Sequence, residues 1–499
     1  MPHADRPGRD AAVVDVGSNS VRLVIYRLEG RAIWTVFNEK VLAGLGRGVE
    51  ATGRLSPDGV RDAMAALRRF KAVIDASRPE EIHTAATAAV RDAEDGPEFI
   101  ERVRREIGLD IRVLSGPEEA RYAALGVVAG SAEAEGVVGD LGGSSLELTR
   151  VDHGDLSAGI TLPLGPFALG APKGFDADVV RRTAVERLKG ANADFKGRTF
   201  HAVGGAWRNL ALIHMRMTDY PLQIVHQYEI PARDASALAR LIAKQSKSSL
   251  ERIPGIAKKR LDTLPYSAVV LDALVDRLGF ERVVFSAYGV REGMLFEAMP
   301  PEVRRLDPLV EGCFAIGARQ GASEGLGQAL AAWLHPLFDD LEPVFGDGRD
   351  RIVVESAARL ADIGARLHPD HRADLAFTQV LRAPVGGQSH PERAFLATSV
   401  FARYGGSGAT PEQDAINRLL YDERVDRARA LGLALRLGCD LSARSPALLA
   451  RSAVSLQSDG RLCLTARADS ADMLLGEQTA KRAQALATAL GVELVMKPA

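Results

Sequence analysis

Apolar residues recur along this chain at two spacings: in short continuous or alternating runs, and every three to four residues over longer stretches. Ala11–Val16 and Val21–Leu28 are short apolar runs joined by a polar turn, which reads as a strand pair. "LSPDGVRDAMAALRRFKAVIDA" carries Val60, Met64, Leu67 and Ile74 at helical spacing, with Ser56 as N-cap and Pro57 at the first helical position. "EIHTAATAAVRDA" predicts a strand ending near Ala86 and then a loop holding Thr87 and Arg91; Ile111–Leu114 is a further strand. "SGPEEARYAALGVVAG" opens a helix with a capping box, Ser115 reaching forward and Glu118 reaching back. Val137–Asp140 and Leu146–Val151 form a second strand pair, and "RTFHAVGGAWRNLALIH" and "ERVVFSAYGVREGMLFEAM" each predict strand, turn and helix. This half reads as mixed α/β with ligand loops at strand ends. Beyond about Pro301 the pattern turns to amphipathic helix, through residues 306–420. After Tyr421 come a helix, a hairpin turning at Asp459-Gly460 in "AVSLQSDGRLCLTA", another helix and the strand "GVELVM", a small α+β tail.

The length of 499 residues suggests several domains, and 46% hydrophobic residues supply their cores. A formal net charge of −2 excludes a generally basic, nucleic-acid-like surface but leaves room for a local basic groove. Cys313, Cys439 and Cys463 are widely separated, which predicts buried thiols in a reducing compartment and no zinc site. No apolar run reaches the ~20 residues of a membrane span, and no leader-type apolar segment follows the polar first ten residues. A cytoplasmic protein is expected.

The turn after the first strand has a partner. "VVDVGSNSVRLVI" and "VVGDLGGSSLELT" share Asp, an apolar residue, Gly, two small residues and Ser, with Asp15 and Asp140 first and Ser20 and Ser145 five residues on. One such turn is ordinary hairpin chemistry; two in register point to a duplicated phosphate grip. Glycines let backbone N–H groups approach an anion, and small hydroxyl residues add donors. The aspartates cannot grip phosphate directly and become useful with a divalent cation between carboxylate and phosphate. Glu147, on the strand leaving the second turn, is placed to join them. Gly204-Gly205, between strand and helix, is a third natural anion site. No Walker loop, HExxH or GxSxG is present.

Glu118 and Glu119 both suit a helix start through the dipole. Glu118 has the capping duty. Glu119 stands at the helix end toward the cleft, where the dipole lowers its pKa and a bound phosphate raises it again.

"VVDVGSNSVRLVI", "ATAAVRDA", "VLSGPEEARYAALGV", "GDLGGSSLEL", "AVGGAWRNL" and "YGVREGML" together resemble the exopolyphosphatase / guanosine pentaphosphate phosphatase family, within the actin-like superfamily of sugar kinases and heat-shock ATPases. The resemblance implies an α/β fold of two ribonuclease-H-like lobes around a cleft (1–123 and 124–303), an all-helical HD-like domain (304–420) and a small α+β C-terminal domain (421–499). It implies processive, magnesium-dependent removal of terminal phosphate from inorganic polyphosphate, with guanosine pentaphosphate as the alternative substrate. Manganese can stand in for magnesium, and a monovalent cation such as potassium is a further expectation. The family's catalytic glutamate falls on Glu119 and its metal carboxylates on Asp15, Asp140 and Glu147. Its phosphate-binding residues fall on Ser18, Asn19, Arg91, Gly142, Gly143, Ser144 and Ser145; Ser20, Gly204 and Gly205 complete the set. A homodimer is implied, without DNA or a membrane span.

Three departures stand out. Ser144 and Leu146 replace Gly and Thr of the usual DxGGGSTE, which costs the loop backbone freedom. Tyr266 and Ser267 occupy a turn often built from glycine and alanine, where a nucleoside pocket would be. No His-Asp dipeptide marks the helical domain, and His368 and His371, set to share a helix face, are expected to be exposed or packed side chains. Lys244, Lys247, Lys258, Lys259 and Arg260 are candidates for a basic path along a polyanion. A nucleotide-driven phosphotransferase of the same fold and a non-hydrolysing sensor are the competing classes; the SGPEEAR helix argues against the first and Glu119, Asp140 and Glu147 against the second.

Overall fold

The structure is a computed structural model, and it describes residues 8–172, 174–191, 195–252, 261–322, 324–346 and 348–499. Two compact units divide between Arg305 and Leu306.

The first unit contains the same sheet twice. β1 (Arg9–Val16), β2 (Val21–Glu29), β3 (Ala32–Val41) and β4 (Glu81–Ala86) lie in the order β3-β2-β1-β4, with β1 parallel to β4 and the rest antiparallel. A parallel bridge from Ala86 to Val113 adds a fifth position. In the second sheet, β5 (Glu135–Leu141) pairs antiparallel with β6 (Leu146–Asp152), which carries the short β7 (Asp155–Leu156) and β8 (Ile160–Leu162). β9 (Thr199–Val203) runs parallel to β5, followed outward by β11 (Arg282–Phe285) and the edge strand β10 (Tyr228–Pro231). Core order 3-2-1-4-5 thus occurs in both, as two ribonuclease-H-like lobes.

The Ala11–Val14 stretch of β1 is continuously apolar because both its faces are covered: Ala12, Val14 and, beyond Asp15, Val16 join one core and Ala11 and Val13 the other. The first core takes α1 (Pro57–Ser77) and α2 (Gly96–Ile107). Ser56 caps α1 by accepting from Gly59 N, and Met64, Leu67 and Ile74 are buried along it, while Val60 is only half-buried. The second core lies between the sheets and is filled by α3 (Gly116–Gly130) and α8 (Val290–Ala298), packed against Val13, Tyr26, Val138 and Val203. α3 is one unbroken helix through residues 123 and 124. The outer face of the second sheet is covered by α5 (Gly205–Met217), α6 (Ala232–Ala243) and α7 (Leu264–Leu278), and α4 (Ala177–Arg187) lies against α7.

α3 and α8 cross closely, and glycine is what allows it. A Cβ on Gly126 would stand 2.1 Å from the Gly289 carbonyl oxygen, and one on Gly293 1.9 Å from that of Tyr122.

Several expectations change. β3 was not foreseen in the pattern, since its outer half exposes Thr35 and Val36. The loop with Thr87 and Arg91 is a short helix, Ala88–Asp92, and Ile111–Leu114 makes only the single bridge. Tyr266 and Ser267 are fully buried in α7; Trp207 Nε1 donates to the Ser267 carbonyl at 2.9 Å and Tyr266 packs edge-on against Phe175, so this segment is helical core where a turn was expected.

The second unit is helical from Pro308–Arg319 to Asp422–Leu441, then adds β12 (Ser452–Leu456), β13 (Leu462–Ala466) and β14 (Leu494–Pro498), with β12–β13 antiparallel around the Asp459-Gly460 turn and β13–β14 parallel. His368 and His371 are both exposed but share no helix face: His368 is in a turn and His371 caps the helix Arg372–Arg382. No described helix is long and apolar enough to cross a membrane.

Gly293→Ala is expected to destabilise the protein by about 2–3 kcal/mol, the scale of an overpacked core, because the clash is with backbone that cannot turn aside. Denaturant unfolding checks this; a midpoint equal to that of the parent protein would mean that the crossing is looser than described.

Candidate active site

Both predicted turns are hairpins closed by the same hydrogen bond: Gly17 N donates to Ser20 O at 2.9 Å and Gly142 N to Ser145 O at 3.0 Å. A second loop docks on each in the same register. Gly44 N and Gly46 N donate to Asn19 O and Ser18 O, as Gly165 N and Phe167 N donate to Ser144 O and Gly143 O. The sequence repeat is therefore a structural repeat. The two tips meet: a Cβ on Gly143 would stand 2.9 Å from Ser18 Cβ, and one on Gly46 3.2 Å from Ser144 Oγ. Ser144 has no positive φ. Serine at that position is unstrained, and the expected loss of backbone freedom does not matter to the loop conformation.

Between the hairpins lies a cleft. Of the sequence-predicted residues it brings together Asp15, Ser18, Asn19, Ser20, Glu119, Asp140, Gly142, Gly143, Ser145, Gly204 and Gly205. Gly204 takes a conformation with φ of 110°, open only to glycine, and a Cβ there would press on the Leu141 carbonyl at 2.6 Å. Arg91 and Ser144 line an adjoining space that shares Ser145 with the cleft. Glu147 is buried beneath, paired with Asp140 across β5 and β6. Lys244 is exposed at the end of α6 and is not among the residues that line the cleft, Lys247 begins the short helix Lys247–Glu251, and Lys258, Lys259 and Arg260 lie outside the described residues.

Glu119 departs from expectation. The capping box leaves Ser115 and Glu118 bonded to each other and Glu119 turned inward, 5% exposed. Burial, not the dipole, governs its charge: desolvation pushes its pKa up to about 7, aided by the Asp140 and Asp15 charges and opposed by Arg91. Arg91 Nη1 donates to Glu119 Oε2 at 2.9 Å and to the Leu114 carbonyl at 3.1 Å, so the guanidinium is fixed at two points. Asp140 is raised to about 6, chiefly by burial, and Glu147 is raised well above the usual carboxylate range by burial and by the Glu119 and Asp140 charges.

The opposing charges were not singled out from the sequence. Arg22, Lys40, Arg208 and Arg291 all line the cleft. Arg291 Nη1 donates to Asp15 Oδ2 at 2.8 Å, and Arg291 is half-buried beside Glu292, whose carboxylate accepts from Tyr26 Oη and Gly289 N. Arg22 is pulled down to about 10 by burial and by the Arg291 and Arg208 charges. One signal for Arg22 was available: it stands seven residues after Asp15, as Glu147 stands seven after Asp140. In both sheets that residue is the cross-strand partner of the aspartate.

Among the described residues, no three His, Cys, Asp or Glu side chains form a metal cage. The donor chemistry nevertheless suits a hard cation, because Glu147 is a buried carboxylate that faces the like charges of Glu119 and Asp140, with only a Ser145 hydrogen bond and the Arg91 charge named as opposing them. A cation here would complete its shell with water and phosphate oxygens.

Two duplicated lobes gripping an anion-sized cleft define a phosphate-handling α/β protein. The chain belongs to the Ppx/GppA phosphatase family, whose pattern it matches over residues 24–302; residues 347–496 match the C-terminal domain of exopolyphosphatase. It is 26% identical over 308 residues to exopolyphosphatase 2 of Mycobacterium tuberculosis, spanning 57% of this chain and 96% of that relative. It is also 26% identical over 296 residues to the guanosine-5'-triphosphate,3'-diphosphate pyrophosphatase of Aeromonas hydrophila, 57% of this chain and 58% of that one. The solved Ppx/GppA family member of Aquifex aeolicus covers 58% of this chain and 97% of its own, at 27% identity and a TM-score of 0.50.

Glu147→Gln tests the buried charge. A carboxyl whose folded pKa is raised contributes stability that is present below the unfolded pKa and lost as pH rises through the folded one. The amide replaces that carboxyl without ever ionising. Without divalent metal, the variant is expected to be more stable than the parent at pH 8, by a margin that shrinks as pH falls toward 5. Thermal unfolding at the two pH values measures it; equal stability at pH 8 would show that Glu147 carries no penalty.

Proposed function

We propose that this protein is a phosphoanhydride hydrolase that removes the terminal phosphate of inorganic polyphosphate processively, with guanosine pentaphosphate as the alternative substrate. The observation that carries the reading is Glu119: a buried carboxylate poised near neutrality, oriented by Arg91, at the edge of a cleft whose two jaws are built from hydroxyl-bearing hairpins. Membership in the Ppx/GppA phosphatase family supports it.

The terminal phosphoryl group rests between the hairpin tips. Ser18, Ser20 and Ser145 offer hydroxyl donors, and the start of α5 at Gly204-Gly205 adds the positive end of a helix. Arg22 and Arg208 balance the chain's charge from the cleft wall. Glu119 takes a proton from the attacking water as the oxygen approaches phosphorus in line; the bond to the bridging oxygen breaks, and that oxygen keeps the electron pair as the new chain end. Arg91 holds the carboxylate in the orientation that transfer requires. Asp140 and Glu147, with Asp15 alongside, are the residues that would hold magnesium or manganese, which supplies neutralisation of phosphate charge; a monovalent cation such as potassium belongs to the same expectation. Cytoplasmic residence and a homodimer complete the reading. The three buried free cysteines suit a reducing compartment.

Release of orthophosphate from polyphosphate, guanosine pentaphosphate and ATP, each with magnesium, tests the substrate class. Polyphosphate is expected to be turned over fastest, and a wide preference for ATP would refute the assignment. Glu119→Gln is expected to lower kcat by about 10²–10⁴. Since only ionised Glu119 can accept a proton, activity is expected to fall as pH drops through about 7. Arg91→Gln removes an influence that lowers the Glu119 pKa, so the acid limb of kcat should move to higher pH; a limb that stays in place would exclude Glu119 as the base.

A further inference from the structure

Each hairpin aspartate begins a row of residues that crosses its sheet. In the first lobe Asp15 pairs across the strands with Arg22, and Arg22 with Lys40; in the second, Asp140 pairs with Glu147, and Glu147 with Thr161. The rows are equivalent in the duplicated frame: each starts before the hairpin, crosses the strand after it and ends one strand further out, on β3 or β8. Their chemistry differs. Beyond its aspartate the first row carries two cations, and the second a carboxylate and a hydroxyl. We propose that the tail of the polyphosphate substrate leaves the cleft along the first row, over β2 and β3, and that Lys40 is a specificity-determining residue that holds phosphoryl groups behind the terminal one. The inference rests on the hydrolase reading above and adds to it the direction of the chain.

Cross-strand partners project from the same face of a sheet at roughly 5 Å per strand, so Asp15, Arg22 and Lys40 form a line about 10 Å long. All three line the cleft. The alternation along β3 agrees: Glu39 faces the other side of the sheet, where Arg69 Nε of α1 donates to it at 2.6 Å, while Asn38, two residues from Lys40, accepts from Arg22 Nε at 2.8 Å. Exposure rises outward, from half-buried Asp15 and Arg22 to exposed Lys40 on the edge strand. The row therefore leads from the hairpin to the open margin of the sheet. Asp15 does not oppose an anion along it, because Arg291 Nη1 holds that carboxylate at 2.8 Å. Arg22 stands in the field of Arg291 and Arg208, so the inner end is the more strongly cationic.

The second row offers no such path. Glu147 is buried, and Thr161 is met by the start of α3, where a Cβ on Gly116 would stand 2.2 Å from Thr161 Oγ1. A polyanion directed that way would meet the Glu119, Asp140 and Glu147 carboxylates. The two cations of the first row also suit their places. An arginine's planar fork fixes a phosphate in one orientation, as the inner end requires, whereas a lysine is a flexible point charge. At the open end such a charge can release one phosphoryl group and take the next as a shortened chain advances.

Binding of fluorescently labelled long-chain polyphosphate, measured in EDTA so that no turnover intervenes, tests the row. Lys40→Gln is expected to weaken binding about threefold to tenfold. It should also flatten the dependence of log Kd on log salt by about one ion. Lys40→Arg should restore both. Lys71→Gln removes the same charge from α1, which covers the opposite face of the sheet, and should bind as the parent does. In turnover with magnesium, Lys40→Gln should raise the KM for long polyphosphate by a similar factor, while inhibition by orthophosphate, which fills only the inner end, keeps its constant. Parent-like binding by Lys40→Gln overturns the row, as does equal weakening by Lys71→Gln or an equal loss of orthophosphate affinity. A parent protein that binds no polyphosphate overturns it too. A parent that binds polyphosphate through Lys40 yet releases no orthophosphate with magnesium refutes the hydrolase reading and leaves the row as a polyphosphate-binding surface.

Discussion

The constraint on which this structure turns is charge placed out of reach of water. Glu119 and Glu147 are buried and Asp140 half-buried in one region of the first unit, and each raises the pKa of a neighbour. Burying unpaired carboxylates is costly, and proteins tolerate it chiefly where the charge is used. Arg91 meets part of that cost at Glu119, Arg208 opposes it at Asp140 and Arg291 answers Asp15. On the proposed reading, a cation and a phosphate would satisfy the remainder.

That arrangement depends on how closely two backbones can approach. The inter-sheet core seats α3 and α8 together only because Gly126 and Gly293 lack side chains at the crossing. α3 carries Glu119 and α8 carries Arg291 and Glu292, so the crossing fixes an acid of one hairpin's environment and the base partner of the other hairpin's aspartate in one rigid piece. Gly143 and Gly46 do the same for the hairpin tips. Packing and chemistry are coupled here through four glycines.

What the sequence disclosed follows the range of the interactions. Local features were legible: the Ser115–Glu118 capping box, the two hairpins and the strand–turn–helix units all formed as their residues imply. The inward turn of Glu119 was half legible, because the cap explains why Glu118 is occupied but not how deeply its neighbour is buried. Arg208 and Arg291 were not legible, since their place in the cleft is decided by strands and helices far along the chain. β3 was missed for a simpler reason: an edge strand with a wet outer half shows no clean alternation. Tyr266 and Ser267 read as a turn and are helical core, because burial of a whole helix depends on neighbours that local pattern does not reveal.

The repeat itself was visible, but its meaning lies in where the copies differ. Backbone hydrogen bonds of the two hairpins agree, donor for donor, including the loops that dock on them. At the position cross-strand from each aspartate, one copy has Arg22 and the other Glu147. A symmetric pair of cationic hairpins would hold phosphate firmly and offer no place for a metal or a base. A symmetric acidic pair would repel the substrate. Opposite charges on equivalent scaffolds resolve both problems: on the proposed reading the first jaw would draw the anion in, and the second, with Glu119 beside it, would meet the same phosphate from the acidic side. Asymmetry imposed on a duplicated frame is therefore what turns two anion-binding turns into a site with a direction.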